Sequence, residues 1–242
     1  MRNYLTFGGV DCRDYGVYIS GSGVFDAPAR AYDLQSIPGR DGALLGTEMR
    51  LENIEVTYPA FVYSNFFLIV RAWRIYLLSW RGYQRLIDTY YPDEYRLALF
   101  VGPLDVEPTK RLDAGSFEMV FNCKPQRYLL SGETPITISS TSSITNPTLF
   151  PSKPLITVHG TGSVSFGGVT ITVTEEVYSS LGTSIDCDRM DAYCVYNGST
   201  LNLNRYVQLS KNDYPELPAG TSQITVGNGI SSVVIVPRWW QL

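Results

Sequence analysis

Apolar and polar positions alternate most clearly from Phe117 to Lys124. Phe117, Met119, Phe121 and Cys123 point one way, and Glu118, Val120, Asn122 and Lys124 point the other. A period of two marks a half-buried strand. Pro125 cannot donate to a ladder and is expected to end it. Beyond Leu130 the chain turns to Ser, Thr, Ile and Pro, through Ser131-Gly132-Glu133-Thr134-Pro135 to Asn146-Pro147 and Pro151-Ser152-Lys153-Pro154. Low charge, small polar residues and repeated proline predict an extended linker over 131–154. It would separate a first unit, 1–130, from a second, 155–242.

In the first unit, Leu5 to Asp11, Tyr15 to Ile19 and Arg30 to Ile37 read as short strands separated by Gly-rich breaks. Ile37-Pro38-Gly39-Arg40-Asp41-Gly42 is a turn, since Pro fixes φ and Gly permits positive φ. Glu48 to Tyr58 alternates with both faces mixed, which suits an edge or an interface. From Asn65 to Trp80 there is no Gly or Pro. There Phe66, Ile69, Val70, Trp73, Leu77 and Trp80 form one stripe of a helix, with Ser64 as its cap and Gly82 as its stop. Gln84 to Asp88, Tyr95 to Val101 and Phe117 to Cys123 complete the strands.

After Pro154 the pattern is almost purely β. Short strands follow one another at Leu155, Val164, Val169, Ser184, Tyr193, Asn204, Ser222 and Ser231. Gly167-Gly168 and Asn197-Gly198 are two-residue hairpin signals. Such spacing predicts a β-sandwich or jelly roll. The expected fold class is therefore mainly β, with one helix in the first unit.

Composition adds limits. Of 242 residues, 13% are aromatic, and 21 Gly and 14 Pro favour sheets and turns over helix bundles. Net charge is −4, so no overall basic field draws the chain to nucleic acid. Met1-Arg2-Asn3-Tyr4 leads into turns rather than an apolar run, so no signal peptide is expected. The apolar window Phe61 to Trp80 carries Arg71 and Arg74 at its centre, which argues against membrane insertion. The four cysteines, Cys12, Cys123, Cys187 and Cys194, are expected as reduced, buried thiols.

Candidate chemistry is sparse. His159 is the single histidine, which removes most Ser-His-acid and Cys-His schemes. No Cys-x-x-Cys or phosphate loop occurs. Asp105 with Glu107, and Asp186, Asp188 and Asp191, are acidic clusters. The second loosely resembles a calcium loop but lacks its spaced Gly and terminal Glu. Solvated turn carboxylates are the simpler reading. Arg238-Trp239-Trp240 could stack on a sugar, or dock on the unit's own core. The sequence thus assigns no catalytic, cofactor-binding or metal residues and no cofactor, and the chain is read as not an enzyme.

Several stretches carry a resemblance. Leu5-Thr6-Phe7-Gly8-Gly9-Val10-Asp11 followed by Asp14-Tyr15-Gly16-Val17 resembles the start of the phage distal tail protein family. So do Ile37-Pro38-Gly39-Arg40-Asp41-Gly42, the helix ending near Trp80 with Gly82-Tyr83-Gln84-Arg85-Leu86, Tyr95-Arg96-Leu97-Ala98, and Phe121-Asn122-Cys123-Lys124-Pro125-Gln126-Arg127-Tyr128. Pro237-Arg238-Trp239-Trp240 ahead of Leu242 fits as well. These pieces cover both ends and the seam.

The resemblance implies a tail-tube-like, ring-forming β-sandwich with one helix over 1–130 and a galectin-like β-sandwich over 155–242. It implies a baseplate hub in the virion, at the tip of a long non-contractile phage tail, assembled in the host cytoplasm. A homohexamer ring would join the tail-tube protein to the tail-associated lysin or tail fibre hub protein. The tape-measure protein and DNA would pass through it as cargo, and it can carry receptor-binding proteins for host attachment. The rival readings are a carbohydrate-binding jelly roll recognising host cell-wall glycans and, third, a glycan-cleaving enzyme. A lectin needs exposed aromatics in the second unit, and a glycosidase needs two carboxylates converging in a cleft.

Overall fold

The computed structural model describes all residues except 1, 22, 47–49 and 110–112. Half of the chain is strand, and the protein is mainly β. It divides into two compact units, Met1–Arg127 with Leu242, and Tyr128–Gln241.

The first unit is built on one sheet. Its strands lie in the order Val10–Asp11, Leu5–Phe7, Gln84–Asp88, Glu94–Phe100, Ala114–Leu129, Ile54–Val62 and Tyr18–Ile19, with Asp105–Thr109 also paired to Ala114–Leu129. Strand Ile54–Val62 alternates as a half-buried strand must. Ile54, Val56, Tyr58, Ala60 and Val62 face inward, and Glu55, Thr57 and Pro59 face out. The expected strand from Glu48 is corrected here. Glu48 and Met49 lie outside the described residues, and Arg50–Leu51 pairs separately with Arg30–Ala31.

Strand Ala114–Leu129 continues through Pro125, where the sequence predicted its end. The pairing with Ile54–Val62 has already finished at Cys123, opposite Ile54. A missing N–H therefore removes no bond from that ladder, and Pro125 stays in the buried alternation.

Helix Phe66–Ser79 lays Phe66, Val70, Trp73 and Leu77 on the sheet. Trp73 Nε1 donates to Met119 Sδ at 3.1 Å, and the Phe66 ring meets Phe117 edge-on. The helix start differs from expectation. Asn65, not Ser64, precedes it in a left-handed conformation, φ 52°, and its side chain makes no capping bond. The free N–H groups go to a distant residue instead. Asn65 N–H donates to Asp113 Oδ2 at 2.8 Å, and Phe66 N–H donates to the Asp113 carbonyl at 3.1 Å. A carboxylate at a helix N-terminus is favourable whichever part of the chain supplies it. Gly82 is not the stop: the helix ends at Ser79 and Trp80 is already extended.

The second unit is a sandwich of two antiparallel sheets. One has the order Ile136–Ile138, Ile230–Val236, Leu155–Gly160, Thr183–Asp186, Asp191–Tyr196, Ser199–Asn202. The other has Ser142–Asn146, Gly220–Val226, Gly162–Phe166, Val169–Val173, Val207–Leu209. Ile156, Val158, Ile185, Val233 and Ile235 from the first meet Val164, Phe166, Ile171, Val173 and Ile224 from the second in one core. Asn197-Gly198, φ 48° and 77°, and Gly167-Gly168, φ 51° and 84°, turn two of its hairpins.

The linker expected over 131–154 is also corrected. Ile136–Ile138 pairs with Ile230–Val236, and Ser142–Asn146 pairs with Gly220–Val226. Ile138, Ile144 and Asn146 are buried. Asn146 Nδ2 donates to the Phe150 and Leu217 carbonyls, and its Oδ1 accepts from Thr148 N–H and Oγ1. The segment is low in charge because it supplies one strand to each sheet.

Candidate functional site

The motifs that carried the resemblance are structural devices. Asp11 accepts from Arg13 N–H at 2.8 Å and starts the 3-10 turn Cys12–Tyr15. Gly16, φ 77°, closes it. The Arg13 guanidinium binds both Asp11 oxygens and lies over the Tyr4 ring. Tyr15 packs on Trp73 and Tyr76 of the helix, and Tyr76 donates to the Phe7 carbonyl at 2.7 Å. Gly8 sits at φ 59°, and a Cβ there would meet the Trp80 ring at 2.9 Å. The Gly-rich opening is thus shaped by the helix lying against it.

A second cluster secures the strand before the unit boundary. Tyr58 donates to Asp88 Oδ2 at 2.7 Å, while Asp88 Oδ1 accepts from Tyr90 and Tyr91 N–H. Arg127 pairs with Glu94 at 3.5 Å, donates to the Val24 carbonyl and lies over Tyr91. Burial lowers the Arg96 value from the usual guanidinium range, and the neighbouring Arg127 charge adds to that. Two cations and two carboxylates here neutralise one another.

In the second unit the acidic cluster is occupied from within. Arg238 holds Asp186 with two parallel bonds of 2.8 and 2.9 Å. Asp186 Oδ1 also accepts from Asp188 and Arg189 N–H. Asp191 Oδ1 accepts from Asn202 and Asn204 side-chain amides. Among the described residues no group of His, Cys, Asp and Glu could hold a metal ion. The side chains of Asp105 and Glu107 lie outside the described ones.

The terminal aromatics dock inward. Trp239 is buried, at 5% exposure, in the sandwich core. Trp240 stacks on Phe150 at 4.5 Å and donates to the Pro151 carbonyl. All four cysteines are free and buried, so Cys187 and Cys194 are not bridged. Among the described residues no helix is long and apolar enough to cross a membrane.

No family model matches the chain, and no curated protein matches it. Solved structures do. The crystal structure of the SPP1 Dit (gp 19.1) protein, described as a paradigm of the hub adsorption apparatus of phages infecting Gram-positive hosts, superposes with a TM-score of 0.69 at 14% identity. That match covers 100% of both chains. The fold is that of a phage baseplate hub protein. The phage P2 baseplate in its activated conformation with Ca matches with a TM-score of 0.52 at 11% identity, covering 97% of each chain. The same baseplate with Sr gives 0.51 at 11% identity, covering 96% of this chain and 97% of that one.

A surface remains to be assigned. A groove of about 410 Å³ is lined by Ser20, Pro59, Phe61, Ser116 and Glu118 and holds a single carboxylate. Exposed apolar side chains are concentrated elsewhere. Of 19 large ones among the described residues, six lie between Phe25 and Leu45 and four on the outer side of the helix. Sequence periodicity found the helix's inner stripe. The outer side was legible too, as Phe67, Leu68, Ile75 and Leu78, but only the fold showed that no other described residue covers it.

Proposed function

We propose that the chain is a structural baseplate hub of a long non-contractile phage tail. A hexameric ring of first units joins the tail tube to the tail-tip adhesion apparatus, and DNA passes through its hole. The second units are galectin-like sandwiches. The observation that carries this reading is the end-to-end likeness to a solved hub protein, with both chains covered in full. No pair of active-site carboxylates is needed for such a role; Asp186 is engaged by Arg238 and backbone amides, and Asp191 by the Asn202 and Asn204 side-chain amides.

The carbohydrate-binding alternative loses its leading candidates, because Trp239 is in the core and Trp240 is stacked on Phe150. Light scattering across a concentration series is the test. A species of six times 27.0 kDa, ring-shaped in negative stain, is the expected result. A strict monomer at every concentration would sink self-assembly of the isolated chain and send the second unit to glycan screens.

A further inference from the structure

Two asparagines of the second unit are followed by glycine, in Asn197-Gly198 and Asn228-Gly229. That dipeptide is chemically labile. The glycine amide nitrogen can attack the Asn Cγ carbon, because glycine carries no side chain to hinder the approach. A C–N bond closes a five-membered imide, the attacking nitrogen gives up its proton, and the side-chain nitrogen leaves as ammonia. Water then opens the imide at either carbonyl, giving aspartate or isoaspartate. Ring closure demands a main-chain conformation that a tight turn does not hold, so the reaction runs from the opened turn. The cost of that local opening decides which Asn reacts.

By exposure the two turns are alike, since Asn197, Gly198, Asn228 and Gly229 are all exposed. Their surroundings differ. Asn228-Gly229 carries the chain from Gly220–Val226 in one sheet to Ile230–Val236 in the other, beside the crossing at Gly160–Gly162. Gly227 N–H donates to the Ser163 carbonyl at 2.8 Å, and the Gly229 carbonyl accepts from Thr161 N–H at 3.1 Å. The two main chains lie so close that a Cβ at Gly160 would strike the Gly229 carbonyl oxygen, and one at Gly162 the Asn228 carbonyl oxygen. Opening this turn disrupts a clasp between both sheets.

Asn197-Gly198 joins Asp191–Tyr196 to Ser199–Asn202, the last strand of its sheet, which pairs with Asp191–Tyr196 alone among the described strands. Every residue from Val195 to Thr200 is exposed, and a Cβ at Gly198 would meet nothing within 4 Å. Tyr196 stacks on Tyr178 at 4.6 Å, which holds the strand entering the turn but not the turn itself. Opening it costs only the last pairs of the hairpin, Tyr196 with Ser199 and Val195 with Thr200.

We propose that Asn197 is a site of spontaneous deamidation in the folded protein, and that the fold protects Asn228. Conversion leaves a carboxylate at the hairpin tip, and isoaspartate also lengthens the main chain there by one methylene. The extra atom shifts the pairs beyond it out of register, so the edge strand Ser199–Asn202 loosens while the core strands hold.

The test incubates the full-length protein at mildly alkaline pH, native and in guanidinium, and follows both asparagines by peptide mapping with mass detection. In the native protein Asn197 should convert at least about tenfold faster than Asn228, and in guanidinium the two rates should converge. Asn197→Gln should remove most of the acidic species that native wild-type protein accumulates on ion exchange. Hydrogen exchange of aged protein should be several-fold faster in Ser199–Asn202 and unchanged in Leu155–Gly160. Equal native rates at the two sites would overturn the proposal. So would an Asn197 that converts in guanidinium but stays intact in the native chain, or an acidic species that Asn197→Gln leaves in place.

Discussion

Arg238 and Asp186 are joined by two parallel hydrogen bonds of 2.8 and 2.9 Å across 52 residues of sequence. The pair ties the chain's final turn to the end of strand Thr183–Asp186. Arg238 sits in a left-handed conformation, φ 57°, and its N–H donates to the Gly132 carbonyl. Leu129 N–H donates to the Trp239 carbonyl nearby. Removing one partner leaves the other charge buried, so Arg238→Ala should cost about 3 kcal/mol in urea unfolding of the second unit.

The same pair sets an acid limit. Burial alone would push the Asp186 carboxyl up, but the Arg238 guanidinium and the Arg189 and Asp188 amides hold it below its ordinary value. The stabilisation is complete above the unfolded value of about 4. It is lost as pH falls through the lower folded value. The melting temperature should drop as pH falls below about 4, and Asp186→Asn should flatten that part of the profile while lowering stability at pH 7.

Two neighbouring glycines make an internally controlled pair. Gly8 and Gly9 both have positive φ, but a Cβ meets the Trp80 ring only at Gly8. Gly9→Ala should cost about 1 kcal/mol, the backbone penalty alone. Gly8→Ala should cost clearly more, and should shift Trp80 emission. Equal losses would contradict the close approach.

The cysteines should be inert in the native protein. Burial pushes the Cys12 thiol up to about 11, and those of Cys123 and Cys187 up to about 12. At pH 8 the thiolate fraction of each is then on the order of one in a thousand or less. A thiol-reactive dye should label no cysteine in the folded chain and four in guanidinium. Fast labelling of the native protein would show that these thiols are not buried as described.

Asn146 is a polar residue at a core position. All its hydrogen-bonding capacity on the side of Phe150, Leu217 and Thr148 is used. Asn146→Ala should destabilise the second unit by about 2 kcal/mol, since the Phe150 and Leu217 carbonyls each lose one of two donors and Thr148 loses its acceptor. Asn146→Asp should be at least as costly, because a carboxylate cannot donate to those carbonyls.

Local physics was legible where one residue's neighbours in sequence are also its neighbours in space. The alternation of Phe117–Cys123, the stripe of Phe66, Val70, Trp73 and Leu77, and the turn at Asn197-Gly198 needed nothing more than period and backbone preference. Together they determined a mainly β chain with one helix.

What failed depended on partners far along the chain. Ile136–Ile138 and Ser142–Asn146 looked like a linker because three- and five-residue stretches rich in Ser and Thr carry little hydrophobic signal. Only Ile230–Val236 and Gly220–Val226 make strands of them. Asp113 caps a helix that starts 47 residues earlier than itself, at Phe66. Arg238 neutralises an acid that resembled a ligand. Hydrogen-bonding groups must be satisfied, but sequence does not say by whom. The tertiary structure alone made that choice, and it alone showed which apolar residues of the helix the other described residues leave uncovered.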